Sequence, residues 1–371
     1  MRGQAVHPIV IAAGGTGGHF FPAEALAAEL LARGQRVALM TDARSAGLSS
    51  GVFANAERFV IKGAGIAGRG PVQALRAAAA LAAGTVQARR ILTMLNATAV
   101  VGFGGYPSVA PVLATRLLRR RPAVVLHEQN SVLGRANRFL ARHADVLALS
   151  FPATTHVPAQ LRTEVTGLPV RPAIRAIAGQ AYTAPTDIIA LLILGGSLGA
   201  RVFSDVVPPA LATLPAPLRT RLRVTQQCRA EDMERVRAAY ADCGIAADLA
   251  PFFADIAARL AAAHLVIARA GASTVAELAV AGRPAILVPL PGAIDDHQTG
   301  NARALEAAGG AWMMAQASCT PKTLQARLEF LINNPRVLSE AASAARGFAR
   351  DDAASALAHT VENLLRQETR R

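Results

Sequence analysis

The chain is poor in aromatic residues, lysine and cysteine, and each shortage argues against a class of protein. Aromatic side chains make up 4% of its 371 residues. This argues against single-strand nucleic-acid binders, which stack bases on aromatic platforms. Only Lys62 and Lys322 are lysines, so arginine carries nearly all the positive charge. The three cysteines are widely spaced and form neither a disulfide framework nor a metal knuckle. We expect three buried thiols in a reducing compartment: Cys228, Cys243 and Cys319.

Long hydrophobic runs are also missing. No apolar run reaches the roughly 18–20 uninterrupted residues that span a bilayer. The nearest run, 77–83, is short and is bounded by Arg76 and Gly84. The apolar residues 9–13 lead directly into glycines, which favours a strand over a signal peptide. We therefore expect a cytosolic protein, or a cytosolic protein that associates with a membrane surface.

The whole chain has a formal net charge of +14, and this positive charge is concentrated in its first half. Residues 1–170 hold 18 basic and 7 acidic side chains, a net +11, whereas residues 171–371 hold 21 and 18, a net +3. This asymmetry predicts an anionic partner, such as phosphates or an anionic membrane leaflet. No helix-turn-helix, RNP-like or zinc-finger motif is present, so nucleic acid is not an expected partner.

Short apolar runs alternate with amphipathic segments along the chain, in which 52% of residues are hydrophobic. The first predicted helices cover 22–32 and 109–118. The pattern predicts an α/β fold with two Rossmann-like, doubly wound parallel-sheet domains that face a cleft. It restarts after the proline- and glycine-containing stretch 167–172. We expect a first domain at 1–168, a second at 169–349, and a helix at about 350–371 that packs back on the first domain.

Three glycine-rich loops, at 14–19, 102–108 and 195–200, each follow a predicted strand. Glycines let the backbone approach a ligand closely, and a helix N-terminus offers unpaired N–H groups to phosphate. The first loop is not a dinucleotide fingerprint, because Phe20 stands where that motif needs glycine, and it lacks the lysine of a P-loop. His19 is then either a functional group beside a phosphate loop or an ordinary structural residue.

Polar residues gather at three further strand ends. His127-Glu128-Gln129-Asn130 suits sugar hydroxyls or an N-acetyl group, although Asn130 could instead cap a helix. A helix begins near 272–277, where Ser273 or Thr274 can cap it and Glu277 is either a capping charge or a ribose ligand. The segment 295–301 resembles a metal motif only superficially, because its carboxylates are adjacent. We expect no metal and no cofactor.

In this order and spacing, the motifs resemble those of the MurG family over essentially the whole chain. They lie at 14–19, 102–108, 127–130, 195–200, 271–277 and 295–301. Members are UDP-N-acetylglucosamine:N-acetylmuramyl-(pentapeptide) pyrophosphoryl-undecaprenol N-acetylglucosamine transferases. The resemblance implies a GT-B fold and conversion of lipid I to lipid II at the cytoplasmic face of the inner membrane. Leu168 departs from the family, which commonly has asparagine before the Pro-Val-Arg that ends at Arg171.

The resemblance also implies site residues. The second domain would hold UDP-N-acetylglucosamine, and the first would hold the acceptor, lipid I, and dock on an anionic membrane. The implied donor-site residues are Thr16, Gly17, Gly18, Asn130, Arg171, Ser197, Phe253, Ala272, Ser273, Thr274, Val275, Ala276, Glu277 and Gln298. Among them, the Phe253 backbone would contact uracil, Glu277 the ribose, and Gln298 the sugar or ribose. The implied acceptor-diphosphate residues are Gly14, Gly15, Gly104 and Gly105.

An inverting transfer needs one base and a stabilised leaving group. His19 is the leading candidate for the base, because imidazole transfers protons near neutral pH, and Tyr106 and Glu128 are weaker candidates. Helix N–H groups and Arg171 would stabilise the leaving diphosphate in place of a metal. Two alternatives stay open: another lipid-directed GT-B transferase, such as a diacylglycerol type, and a nucleotide-sugar or polyanion binding protein without turnover. The basic segment 62–90 is either the membrane-docking surface or a core helix with a solvated face.

Overall fold

The structure is a computed structural model that describes residues 7–15, 17–43, 51–53, 56–61, 71–196 and 199–369. The chain divides into two units. The first is Met1–Arg171 together with Asp352–Arg371, and the second is Pro172–Asp351. Each unit is built around its own sheet, so the two are described separately. None of the described helices is both long and apolar enough to cross a membrane.

The first unit contains a parallel sheet in the order β3-β2-β1-β4-β5-β6-β7. Its strands are β1 (Ile9–Ala12), β2 (Val37–Thr41), β3 (Glu57–Val60), β4 (Ala99–Gly102), β5 (Ala123–Glu128), β6 (Val146–Leu149) and β7 (Thr163–Val165). Its helices are α1 (Gly17–Ala32), α2 (Pro71–Leu95), α3 (Gly105–Thr115), α4 (Arg135–Leu140) and, from the end of the chain, α14 (Ala353–Thr369).

Both faces of this sheet are buried, as a run of apolar residues in β1 requires. Ile9 and Ile11 belong to a cluster with residues of α1 and α14. Val10 points to the other face, where residues of α2 and α3 complete a second cluster. The helix α14 is also held by polar contacts, because Glu362 forms an ion pair with Arg33 at 2.9 Å.

The second unit contains a parallel sheet in the order β10-β9-β8-β11-β12-β13. Its strands are β8 (Ile189–Leu194), β9 (Leu222–Gln227), β10 (Ala246–Ala250), β11 (Leu265–Ala268), β12 (Ala285–Leu287) and β13 (Ala311–Met313). Its helices are α5 (Pro172–Arg175), α6 (Arg201–Ala212), α7 (Ala216–Arg219), α8 (Met233–Asp242), α9 (Ile256–Ala262), α10 (Ala272–Ala281), α11 (His297–Ala307), α12 (Pro321–Asn333) and α13 (Pro335–Phe348).

The predicted fold class, two doubly wound parallel sheets, is confirmed. The predicted starts of two helices are wrong. The first helix begins at Gly17 and contains Pro22 in its interior, and the second begins at Gly105 with Pro107 in its first turn. Proline favours the first helical position, so the first helix was predicted to start at Pro22, whereas the second was predicted to start at Val109. In both cases glycine residues, with their weak helix propensity, open the helix instead.

One prediction about the cysteines is also wrong in part. Cys228 and Cys319 are buried, and burial raises the pKa of both thiols. Cys243 is only partly buried, because it follows the last residue of α8, where its thiol donates to the Ala239 carbonyl oxygen.

Each sheet has a position beside its first strand at which the strand order changes direction. In the first unit this position lies between β1 and β4, and in the second it lies between β8 and β11. The connections leave such a position toward opposite faces of the sheet and open a crevice at the carboxyl ends of the strands. The loops that follow these four strands are therefore the expected ligand-binding segments of each unit.

Candidate active site

In the first unit, the glycine loops after β1 and β4 flank the position where the strand order reverses. Gly15, Gly104 and Gly105 have φ angles of 86°, 77° and 65°, which residues other than glycine rarely adopt. Ser108 ties the two loops together, since its hydroxyl oxygen lies 3.0 Å from the Ala12 carbonyl oxygen and 2.9 Å from that of Gly104. The end of β1 and the loop after β4 are thus held side by side.

His19 lies in the first turn of α1 with its ring against the second glycine loop. A Cβ atom at Gly104 would lie 3.7 Å from the imidazole Cε1, and one at Gly105 would lie 3.7 Å from Nε2. The Nδ1 atom of His19 is 3.0 Å from the Gln129 side-chain oxygen. His19 is half-buried, so its ring is oriented by Gln129 and is still partly accessible to solvent.

Glu128, at the end of β5, accepts hydrogen bonds from the loop that follows it. One carboxylate oxygen accepts from the backbone N–H and the side-chain amide of Asn130, at 3.0 and 3.2 Å. The other accepts from the Gly134 N–H at 2.9 Å and the Asn137 amide at 2.8 Å. Four donors therefore occupy the carboxylate, and this arrangement favours a role in holding the loop.

The remaining site residues predicted in this unit lie near the same strand ends. Gly14 is buried between β1 and α1, Gly17 begins α1, and Gly18 is exposed, while Thr16 lies outside the described residues. Tyr106 is the second residue of α3 and is half-buried. The Arg171 guanidinium stacks on Phe21 of α1, with its central carbon 5.1 Å from the ring centroid.

The third glycine loop follows β8 in the second unit, and two side chains that the sequence analysis did not single out support it. Gln227 accepts from the Gly195 N–H at 3.0 Å and donates to the Gly196 carbonyl oxygen at 2.9 Å. Arg229 crowds Gly199, where a Cβ atom would lie 2.9 Å from the arginine Cγ. Ser197 lies outside the described residues. Gln227 could have been found from its position at the end of a predicted strand.

The helix α10 follows β11 and presents its N-terminus at this same edge of the sheet. Its N-cap is Gly271, and no side chain caps it. The expectation that Ser273 or Thr274 caps this helix is wrong, because the helix begins at Ala272 and both residues already lie in its first turn. The first N–H groups of a helix have no partner within it. In addition, the buried hydroxyl of Ser273 has no hydrogen-bond partner among the described residues.

The first two turns of α10 also contain the other residues predicted for the donor. Ala272 and Val275 are buried, whereas Thr274, Ala276 and Glu277 are partly accessible. Arg269 precedes the helix and was missed by the sequence analysis. It donates at 3.1 Å to the carbonyl oxygens of Val288 and Pro289, and burial lowers the pKa of its guanidinium. Arg269 thereby fixes the loop before α10 to the segment after β12.

Helix α11 brings Gln298 to the segment that follows β12. The Gln298 side-chain oxygen accepts from the Leu290 N–H at 2.9 Å. The buried Asn301 donates to the Ala270 carbonyl oxygen at 3.1 Å and so attaches α11 to the start of α10. Phe253 is buried with the Arg259 guanidinium over its ring at 4.1 Å, and its neighbour Phe252 is exposed.

Comparison with known proteins identifies the family of the chain. The chain matches the model of the glycosyltransferase family 28 N-terminal domain over residues 9–148 and that of the C-terminal domain over 190–357. It is 64% identical to a UDP-N-acetylglucosamine–N-acetylmuramyl-(pentapeptide) pyrophosphoryl-undecaprenol N-acetylglucosamine transferase of Granulibacter bethesdensis, covering 98% of this chain and 95% of that protein. A protein of the same name from Acidiphilium cryptum is 55% identical, and the match covers 100% of both chains.

The chain belongs to the MurG family.

A solved structure supports the same assignment, since Acinetobacter baumannii MurG matches with a TM-score of 0.78 and 34% identity, covering 96% of this chain and 99% of that one. The resemblance inferred from the sequence motifs is confirmed. As a MurG-family member with both family 28 domains, the chain is a glycosyltransferase. The glycine loops and helix N-termini described above are therefore part of a sugar-transferring enzyme.

Proposed function

We propose that this enzyme moves N-acetylglucosamine from UDP-N-acetylglucosamine to the C4 hydroxyl of the muramyl sugar of lipid I. Lipid I is the undecaprenyl-pyrophosphoryl-muramyl-pentapeptide, and the product is lipid II for peptidoglycan synthesis. The observation that carries the proposal is the 64% identity to a transferase of that name over 98% of this chain. The open loops at the strand-order reversal of each sheet support it, because both substrates carry a diphosphate.

The second unit supplies most of the proposed donor site. The N-terminus of α10, from Ala272 to Ala276, and Ser197 would hold the diphosphate of UDP, since helix N–H groups and a positive dipole end attract anions. The buried Ser273 hydroxyl supports this role, because it has no hydrogen-bond partner in the described part of the chain and would gain free energy from a ligand oxygen. Glu277 would accept from the ribose hydroxyls, Gln298 would contact the sugar or ribose, and the Phe253 backbone would contact uracil.

The first unit supplies the proposed acceptor site and the base. Backbone N–H groups of Gly14, Gly15, Gly104 and Gly105 would hold the acceptor diphosphate. Glu128 would hold the loop that carries Asn130. Tyr106, at the start of α3, would be a weaker candidate for the base. The donor site would be completed by Thr16, Gly17, Gly18, Asn130 and Arg171.

The proposed reaction is an inverting displacement in one step. The C4 hydroxyl oxygen attacks the anomeric carbon and forms the new bond, while its proton passes to His19. The bond from the anomeric carbon to the UDP oxygen breaks, and the α-linked donor yields a β-linked product. Helix N–H groups and Arg171 would stabilise the charge that develops on the leaving diphosphate.

We also propose that the enzyme acts as a peripheral protein at the cytoplasmic face of the inner membrane. The undecaprenyl chain of lipid I stays in the bilayer, so the muramyl sugar must be reached at the membrane surface. Residues 1–170 carry a net charge of +11, which suits an anionic leaflet.

The experiment that tests the activity is a UDP-release assay with purified protein, UDP-N-acetylglucosamine and a short-chain lipid I analogue. We expect UDP release that depends on the analogue and a product with the mass of lipid II. Diacylglycerol serves as the competing acceptor. Glycosylation of diacylglycerol in preference to the analogue would identify a different lipid-directed transferase. Donor binding without UDP release would identify a binding protein.

A further inference from the structure

We infer that Gln129 and His127 are positioning residues that set the tautomer of His19. They hold its ring with the proton on Nδ1 and leave the lone pair on Nε2, the atom that must accept the acceptor's proton. The inference deepens the proposed function, because it takes His19 as the base. The hydrogen-bond assignment itself needs no substrate and is tested separately.

The assignment begins at a backbone carbonyl. The Nε2 atom of His127 lies 3.0 Å from the Gly167 carbonyl oxygen. A carbonyl oxygen only accepts, so Nε2 of His127 carries the proton. The Nδ1 atom of this neutral imidazole is then an acceptor. The His127 ring is completely buried, and burial lowers its pKa to about 4, which keeps it neutral.

The orientation of the Gln129 amide follows from three acceptors. Its nitrogen lies 3.2 Å from Nδ1 of His127, 3.0 Å from the Phe103 carbonyl oxygen and 3.1 Å from the His127 carbonyl oxygen. A glutamine oxygen placed there would meet three acceptors and no donor. The NH₂ group therefore occupies this position, and the Gln129 oxygen points the other way. The Gln129 residue is only 3% exposed, so water does not compensate for a flipped amide.

The orientation of the Gln129 amide determines which ring nitrogen of His19 carries the proton. Its Nδ1 atom is 3.0 Å from the Gln129 oxygen, which only accepts, so Nδ1 must donate. In the neutral ring, the lone pair is left on Nε2. That atom lies on the side of the ring near Gly105, in the glycine loop proposed to bind the acceptor diphosphate. The tautomer suited to a general base is thus imposed by three carbonyl oxygens, those of Gly167, Phe103 and His127.

This arrangement also suits the reaction step. When Nε2 takes the proton, Nδ1 keeps its own proton and its bond to the Gln129 oxygen. No amide needs to rotate, so the hydrogen bonds that orient the base are the same before and after transfer. Preorganised groups of this kind stabilise a transition state without reorganisation at the moment of reaction.

The direct test is nitrogen NMR of the unmodified protein labelled with ¹⁵N-histidine. His19→Ala identifies the His19 signals by their disappearance. At a pH where His19 is neutral, we expect Nδ1 to give a protonated-nitrogen signal and Nε2 an unprotonated one. The reverse pattern, or averaged signals from two exchanging tautomers, would overturn the inference. This result does not depend on any turnover.

Two variants separate tautomer control from simple packing. Gln129→Met keeps the volume but removes the amide oxygen that faces His19. Gln129→Glu keeps that acceptor but, when ionised, sets a carboxylate oxygen against the Phe103 and His127 carbonyl oxygens. A packing role predicts that Met is tolerated better than Glu. Tautomer control predicts the opposite order for kcat per folded molecule.

We expect Gln129→Met to lower kcat by roughly 10- to 1,000-fold with little change in the donor KM, since a wrong tautomer costs up to about 10⁴ in a serine protease. The matched control is Gln226→Met, which removes another buried glutamine, bonded to Tyr240, and should leave kcat unchanged. A kcat for Gln129→Met equal to that of the control would overturn the inference. Loss of UDP release in the unmodified enzyme would count against the proposed function instead.

Discussion

At the scale of single residues, hydrogen bonds determine which side-chain atoms are available for chemistry. Four donors occupy the Glu128 carboxylate, whereas for His19 one nitrogen, Nδ1, lies within hydrogen-bonding distance of the Gln129 oxygen. His19, in the first turn of α1, and Glu128, at the end of β5, were both candidates for the base. Their hydrogen bonds, which their residue types do not reveal, favour His19.

His19→Ala should lower kcat by roughly 10²–10⁴, the usual contribution of a general base, and should leave UDP affinity nearly unchanged. The measurement is steady-state UDP release together with calorimetric titration of UDP. His359→Ala, which removes an exposed histidine of α14, is the control. An effect confined to the acceptor KM would instead make His19 a ligand of the acceptor phosphate.

Glu277→Ala should raise the donor KM by roughly 10- to 150-fold, since a hydrogen bond to a charged group contributes about 1.5–3 kcal/mol. The melting temperature should stay near that of the unmodified enzyme, because Glu277 is partly accessible. Glu340→Ala removes an exposed carboxylate from α13 and is the control. A donor KM equal to that of the control would remove Glu277 from the ribose site.

His127 should make the enzyme less stable in mild acid. Its pKa falls from 6.5 to about 4 on folding, so the unfolded chain binds the extra proton first as the pH drops. The contribution of His127 to the free energy of unfolding is fully present above pH 6.5. It is lost between pH 6.5 and 4, by about 3 kcal/mol in total. Urea unfolding at pH 7 and pH 4.5 measures the loss, which should be smaller in His127→Asn. An equal loss in the two proteins would show that other groups cause it.

At the scale of elements, each glycine loop and the helix that follows it together form one ligand-facing segment. A glycine turn lets the chain reverse tightly after a buried strand, and the next helix then presents its unpaired N–H groups at the edge of the sheet. Gly195 shows how tight this turn is. A Cβ atom there would lie 2.3 Å from the Ala200 nitrogen and 2.7 Å from the Gly199 carbonyl carbon.

Gly195→Ala should therefore displace the loop, because the atoms it meets are backbone atoms. We expect UDP affinity to fall at least tenfold, a change of about 1.4 kcal/mol or more. Gly179→Ala is the matched control in the same unit, since a Cβ atom there meets nothing within 4 Å. Calorimetric titration of UDP measures both. If Gly195→Ala does not fold, Gln227→Ala weakens the same loop through its two hydrogen bonds. Unchanged affinity in the folded variants would exclude the loop from the donor site.

At the scale of the whole molecule, the two units share one architecture but differ in charge and surface. The first unit has an unusual outer face on α2, where Leu75 is 73% and Met94 is 66% exposed. Arg76 and Arg90 are exposed on the same helix. Lys62 and Arg69, which the sequence analysis placed on the docking surface, lie outside the described residues. Exposed apolar side chains beside arginines are typical of a helix that lies on a membrane.

We expect peripheral, salt-sensitive binding to vesicles that contain anionic lipid. Replacing Arg76 and Arg90 by glutamate should weaken binding about 30-fold or more, since each basic residue near the leaflet contributes about 1 kcal/mol. Turnover of a short-chain soluble acceptor should persist. The control makes the same charge change in the second unit, at Arg327 and Arg336. Equal binding by both double variants, or binding indifferent to salt, would show that the docking surface lies elsewhere.

The sequence by itself determined the fold class, the central strands and the family. These depend on local patterns: buried strands are continuous apolar runs, and turns at ligand sites need glycine whatever surrounds them. It did not reveal the four edge strands, because β3, β7 and β10 are half-exposed or exposed and lack such a run, while β13 has only three residues.

Only the tertiary structure decided which groups meet. His19 and Gln129 are 110 positions apart, and Gly167 lies 40 positions beyond His127. No local pattern encodes those pairs, because the parallel sheet brings them together by placing the ends of strands β1, β4 and β5 at one edge. The tautomer of His19 is therefore a property of the folded sheet and of its carbonyl groups, while the imidazole that carries it is a property of the sequence.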